Sequence, residues 1–170
     1  MTTLLFYTAA LIAVIATLLT ITRTNIAHAL LYLVVSLLSI AVIFYIIGAP
    51  LAGALEVIVY AGAIMVLFVF VIMMLNAGKK SEDQEKDWLS NTSWKGPSLL
   101  CLILLVELLA LFSEGIEGTV TTQISAKEVG ILLYGPYLLA VELASMLLLA
   151  GLVGAYHLGR DEQVTEESSP

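Results

Sequence analysis

Cysteine is nearly absent from this 170-residue chain: Cys101 stands alone. That excludes an internal disulfide and any four-cysteine metal or iron–sulfur site. Charge is sparse too, at 12% of residues, and only seven residues are Lys or Arg. With a net charge of −7 the chain offers no basic face to nucleic acid. It has no GxGxxG, P-loop, CxxC or paired-His motif, so no nucleotide, flavin, haem or iron–sulfur cluster is expected on this chain itself. His28 and His157 lie at the ends of distant apolar runs; interfacial packing is their expected role, and no metal site is expected. Proline is scarce, and Pro50, Pro97, Pro136 and Pro170 all avoid the long apolar runs. The first three fall at or just before expected helix starts, where a missing N–H costs nothing. The N-terminus lacks the basic region and cleavage site of a signal peptide, so it is read as a retained span.

What fills the chain is apolar sequence, 60% of all residues. A soluble domain is closer to half apolar, and long uncharged apolar runs mark membrane spans. Five runs approach the roughly 20 residues a helix needs to cross a bilayer. They are Leu4–Ile21, Ile26–Ile47, Leu51–Leu75, Ser98–Phe112 (which could begin nearer Trp94) and Tyr137–Leu158. The expected fold is an all-α membrane protein of five transmembrane helices, a single domain over residues 1–160. With the N-terminus outside, Arg23, Lys79, Lys80, Lys86, Lys95 and Arg160 fall inside and only Lys127 outside. This positive-inside bias places the C-terminus inside as well.

Between the spans, residues 78–96 mix charges of both signs and are read as solvated or packed on a partner. The glycosylation pattern Asn91-Thr92-Ser93 on that inner loop is accidental in this reading. Ser125-Ala126-Lys127-Glu128 is a capping-box pattern, so a short helix is expected to start there. Residues 161–170 are polar, lack aromatics and are expected to be disordered. The chain has no internal repeat, which disfavours an inverted-repeat transporter.

Chemistry is expected where ionisable groups enter the membrane. Glu56, Glu107 and Glu142 lie within spans, each about 7–10 Å from the outer side at about 1.5 Å per residue. An ionised group at depth is costly, so these side chains are expected to face protein, and burial favours their protonated form. In a plain α-helix Glu56, Tyr60, Ala63, Leu67 and Met74 share one stripe, and Glu56 and Tyr60 could share a water. Below Tyr60 that stripe is apolar, so a plain helix offers no continuous proton wire. One residue inserted as a π-bulge near Gly62 would rotate everything beyond it by about 100° and create a two-state joint. Gly53, Ala61, Gly62 and Ala63 could equally serve only close helix packing, and spacing alone does not choose. In the last span Ala140, Ala144, Gly151 and Ala155 form a small-residue stripe for helix packing, roughly opposite Glu142 and Ser145. Polar groups facing several ways point to a subunit of a larger assembly.

The run ALEVIVYAGAIMVLFVFVIMMLN at 54–76 closely resembles the third membrane helix of the subunit J family of bacterial NADH–quinone oxidoreductase (respiratory complex I), the counterpart of mitochondrial NADH dehydrogenase subunit 6. NIAHALLYLVVSLL at 25–38 and ISAKEVGILLYGPYLLAVELASMLLLAGLVGA at 124–155 resemble the same family, and the likeness runs from about Leu4 to Arg160. The resemblance implies a subunit of the bacterial inner membrane without a redox centre or catalytic residue, beside subunits A, H, K and N. NADH, FMN, Fe–S clusters and quinone would be used by other subunits. It also implies a π-bulge in the third helix that converts to α-helix and so opens or closes a proton path from the quinone end to the antiporter-like subunits. Tyr60, Gly62, Met65, Val66 and Phe68 match the region of that switch, and Glu56 matches its acidic residue. Two rival readings are a structural membrane scaffold whose glutamates only tie helices, and a component of a related cation/proton antiporter that needs no quinone.

Overall fold

The computed structural model describes residues 2–75, 94–113 and 123–160 of the chain. The charged segment 78–93, most of the expected outer loop and the acidic tail 161–170 lie outside the described residues. Every described element is helical: α1 Thr2–Thr22, α2 Ile26–Ile46, α3 Pro50–Leu55, a π-helical segment Glu56–Ile64, α4 Met65–Leu75, α5 Lys95–Ser113, α6 Ala126–Leu133 and α7 Leu138–Gly159. The boundaries depart from the apolar runs by three residues at most, at Lys95 against Ser98. Pro97 is the third residue of α5, still within the first turn, where its missing N–H has no partner to lose. Four helices among the described residues are long and apolar enough to cross a membrane: α1, α2, the continuous helix Pro50–Met74 and α7. The residues group into two compact units, 1–125 and 126–170.

In the first unit α1 and α2 form a hairpin through only Arg23, Thr24 and Asn25. Asn25 caps α2: its Oδ1 accepts from the amides of Ala27 at 3.0 Å and His28 at 3.5 Å. The other end of α2 closes on a glycine. Gly48 stands at φ 86°, its N–H donates to Tyr45 O at 3.2 Å, and the next N–H, of Ala49, donates to Phe44 O at 2.9 Å. That pair of bonds satisfies two helix-end carbonyls and needs a left-handed residue, hence glycine. Pro50 follows and opens α3 at its first position. The Ile124 amide donates to the Gly48 carbonyl at 3.0 Å, tying the segment before α6 to this turn.

Ala9, Ala13 and Ala16 of α1 are buried, and small side chains at this spacing let α2 approach closely. Ile12, Val35, Val42, Ile46 and Leu104 complete the core. In lipid such contacts gain little from leaving water, so close van der Waals packing and interhelical hydrogen bonds hold the pair. Ser36 Oγ donates to the Ala13 carbonyl at 3.2 Å and lies 2.8 Å from Thr17 Oγ1. Where α5 begins, Gly96 packs on the hydroxyl of Tyr32, a ring only 3% exposed that also carries the Arg23 guanidinium 5.5 Å from its centroid. A β-carbon on Gly96 would overlap that hydroxyl. Gly96→Ala is therefore expected to cost about 1–3 kcal/mol, as overpacking does. Thermal denaturation of the assembled protein checks this, and an unchanged midpoint would show that the ring moves aside freely.

The second unit holds α6 and α7. α6 begins at Ala126, directly after Ser125, the first residue of the capping-box pattern. Residues 134–137, containing Gly135 and Pro136, turn the chain into α7.

Candidate functional site

The helix 50–75 does not keep one hydrogen-bond register. Over Glu56–Ile64 it is π-helical, and at the lower edge the Met65 amide reaches both the Gly62 and the Tyr60 carbonyls, three and five residues back. The upper edge is α-helical: the Glu56 amide is bonded to Ala52 and Gly53 carbonyls. Gly62 is the seventh of the nine residues of the wide turn. A β-carbon there would stand 3.1 Å from the Val57 carbonyl oxygen, five residues back. A side chain at this position would crowd a carbonyl that the wide register brings across.

The change of register decides which side chains face the protein. Gly53 and Met65, the latter 3% exposed, are the buried residues of this helix among those described. They are twelve residues apart, so a regular α-helix would set them about 120° apart, whereas one extra residue brings them to within about 20° of one face. Ile72, one heptad beyond Met65, is partly buried on the same line. Leu67 and Met74, which share the Glu56 stripe in a plain α-helix, are 61% and 63% exposed. Glu56 is half-buried, Tyr60 is about half exposed, and Val66 and Phe68 point outward.

An apolar cleft of about 420 Å³ runs between α2, the upper part of helix 50–75 and α5. Leu38, Ala41, Val42 and Tyr45 form one wall, Gly53, Ala54 and Val57 the second, and Cys101, Leu104, Leu105 and Leu108 the third. Gly53 allows this approach: a β-carbon on it would be 2.9 Å from the Ala41 carbonyl oxygen.

Of the three glutamates, Glu107 is the most enclosed, at 5% exposure. The structure brings it to Thr8 of α1, whose hydroxyl lies 2.8 Å from Oε1 and 2.9 Å from the Leu5 carbonyl. Its other oxygen, Oε2, is buried without a hydrogen-bond partner among the described residues. Glu142 belongs to the second unit and is exposed there; its carbonyl accepts from the Ser145 hydroxyl at 2.7 Å. Ala140, Ala144, Gly151 and Ala155 are exposed along α7.

Thr8, Thr17, Ser36 and Ser39 are the polar groups that reading by carboxylates alone misses. Their signal in the sequence is hydroxyls beside alanines at 9, 13 and 16, the same small-residue spacing that stands out in the last span. Among the described residues Ser39 bonds within its own helix, to Val35 O at 2.8 Å. Thr8 and Thr17 are nine residues apart, about 13 Å along α1, so these hydroxyls tie helices without forming a wire. Among the described residues no group of three His, Cys, Asp or Glu side chains could hold a metal ion.

The chain is similar in sequence to known proteins over most of its length. The family model described as NADH-ubiquinone/plastoquinone oxidoreductase chain 6 matches residues 16–158. The chain is 62% identical to the NADH-quinone oxidoreductase subunit J of Pseudomonas aeruginosa over 159 residues, covering 92% of this chain and 96% of that one. It is 59% identical to the protein of the same name from Escherichia coli K12 over 165 residues, covering 95% and 88%. A more distant relative of that name, from Buchnera aphidicola subsp. Baizongia pistaciae, is 39% identical over 160 residues, covering 91% and 96%. A helical chain whose third long helix changes register around a tyrosine and a glycine thus belongs, by the match over most of its length, to the NADH-ubiquinone/plastoquinone oxidoreductase chain 6 family.

Proposed function

We propose that this chain is a membrane-arm subunit of a proton-pumping NADH–quinone oxidoreductase and couples quinone reduction to proton translocation through a gate in helix 50–75. In this reading the chain spans the bacterial inner membrane five times, α5 included, with its N-terminus outside and its C-terminus inside. It carries no redox centre and no catalytic residue, and it packs beside subunits A, H, K and N.

One observation carries the reading: the wide turn at Glu56–Ile64, with a glycine where a β-carbon would press on the Val57 carbonyl. A π turn inserted in an α-helix can be expelled by re-registering the hydrogen bonds, and this rotates the helix beyond it by about 100°. Met65 leaves the packed face in the α register and a different set of side chains enters. Glu56 and Tyr60 lie on the turning segment, a carboxyl and a phenol that can each hold or pass a proton. The π register holds one arrangement of this relay and the α register another, so the state of the quinone site can bias the path if it favours one register. Glu107 and Glu142 are further carboxyls within the proposed spans, each in its own unit, and the small stripe of α7 is its packing face toward a neighbouring subunit.

Glu56→Gln and Tyr60→Phe test the reading, because each keeps the shape and removes the proton. Both variants are expected to assemble and to lower the protons moved per NADH oxidised, measured in vesicles with quinone reduction followed in parallel. Unchanged pumping and quinone reduction in both would leave the chain a scaffold.

A further inference from the structure

The gate leaves unused the most deeply buried acid among the described residues, Glu107. Glu107 sits on α5 with Leu104 and Leu108 beside it, and those leucines line the apolar cleft toward Gly53, Ala54 and Val57. The carboxyl takes the other direction, to Thr8 on α1. Apolar side chains thus occupy the space shared with the π-helical segment, and the Glu107–Thr8 pair is a separate site.

The protons around it can be counted. Thr8 Oγ1 has one hydrogen and two oxygens within reach, Leu5 O at 2.9 Å and Glu107 Oε1 at 2.8 Å. The Ala9 amide also lies against the carboxyl, and in a regular α-helix it shares its hydrogen with the Leu5 carbonyl one turn back. An ionised Glu107 brings no hydrogen. Thr8 would then have to serve one oxygen and neglect the other, and Oε2 would carry negative charge, buried and without a donor. A buried charge with an empty hydrogen-bond position is among the costliest arrangements in a protein. A protonated Glu107 resolves both problems. Its Oε1–H donates to Thr8 Oγ1, Thr8 donates to Leu5 O, and each short contact holds one hydrogen. Oε2 is then a neutral carbonyl oxygen, far cheaper to leave unpaired. Among the described residues, the titratable groups on the elements around α5 are Tyr7 of α1, His28, Tyr32 and Tyr45 of α2, and Glu56 and Tyr60 of the helix across the cleft, while Arg23 sits over the Tyr32 ring at the Gly96 end. On α5 itself Lys95 lies twelve residues away, about 18 Å along the helix, and Cys101 is exposed.

We propose that Glu107 and Thr8 form a proton-holding site inside the helix bundle, in which the carboxyl keeps its proton on the oxygen facing Thr8 and the hydroxyl passes the hydrogen bond on to the Leu5 carbonyl. The site binds a proton and needs no metal or anion. It stands whether or not the helix 50–75 gates a path.

Infrared spectroscopy of the assembled complex in membranes at neutral pH tests it, since a protonated carboxyl has a C=O band that shifts slightly on transfer to heavy water. Wild type minus Glu107→Gln is expected to show the loss of one such band, and Glu56→Gln is expected to leave that band in place. Thr8→Val keeps the acid and removes its acceptor, so the band is expected to move to higher frequency. This second variant also reads the site if Glu107→Gln does not assemble. A difference spectrum in which Glu107→Gln removes carboxylate bands overturns the proposal, and so does a carboxyl band that Thr8→Val leaves unmoved.

Discussion

Gly62→Ala is expected to lower the protons pumped per NADH at least severalfold while the complex still assembles. The added β-carbon meets the Val57 carbonyl oxygen at 3.1 Å in the π register, tighter than an ordinary contact. In the α register that carbonyl is no longer drawn across the turn, and alanine is favoured over glycine by about 1 kcal/mol in a helix interior. Both effects push the same way. A bias of about 1–1.4 kcal/mol shifts a two-state equilibrium five- to tenfold, enough to empty a state that must be visited in each cycle. Gly62→Val adds bulk at the same point, and its effect is expected to be larger. Proton uptake into vesicles, normalised to NADH oxidised and to the amount of assembled complex, checks the prediction. Wild-type coupling in Gly62→Val would show that the wide turn serves packing alone. A structure of Gly62→Ala adds a second reading, because an α register there should carry Met65 off the packed face.

The second large effect is expected at Gly53, and it should fall on assembly. Its β-carbon would lie 2.9 Å from the Ala41 carbonyl oxygen and 3.5 Å from both Phe44 Cβ and Tyr45 Cδ2. Backbone cannot swing away as the tip of a side chain can, so α2 and α3 must separate along their contact. Gly53→Leu would also push into the cleft bounded by Val57 and Leu104. Overpacking of this kind costs about 1–3 kcal/mol or more, and close approach is the main attraction between helices in lipid. The expected outcome is a marked drop in the amount of subunit incorporated and in its thermal stability, with coupling per assembled complex reduced less. Normal incorporation of Gly53→Leu would show that the α2–α3 contact is loose. The two glycines, nine residues apart on one helix, therefore separate into a joint and a packing point.

The long helices were legible from the chain alone because lipid leaves little choice. A backbone crossing hydrocarbon must satisfy its own hydrogen bonds, so every apolar run of sufficient length becomes a helix. Hence Leu4–Ile21 and Ile26–Ile47 are found as Thr2–Thr22 and Ile26–Ile46, and the turn at Gly48 and Pro50 follows from the conformations those two residues allow. The cap at Asn25 and the helix start after Ser125 are local in the same sense. Which faces meet is a different kind of fact. An apolar helix surrounded by apolar side chains has no polar face to mark its orientation, so periodicity says little about rotation. That Glu107 turns to Thr8, ninety-nine positions away in the chain, was decided by how α5 seats on α1. Likewise Met65 is packed and Leu67 exposed because the wide turn above them shifts the register, and that turn depends on contacts that reward it over a plain α-helix. Local propensity set the helices and their ends; packing between distant segments set their rotation and the partners of their few polar groups.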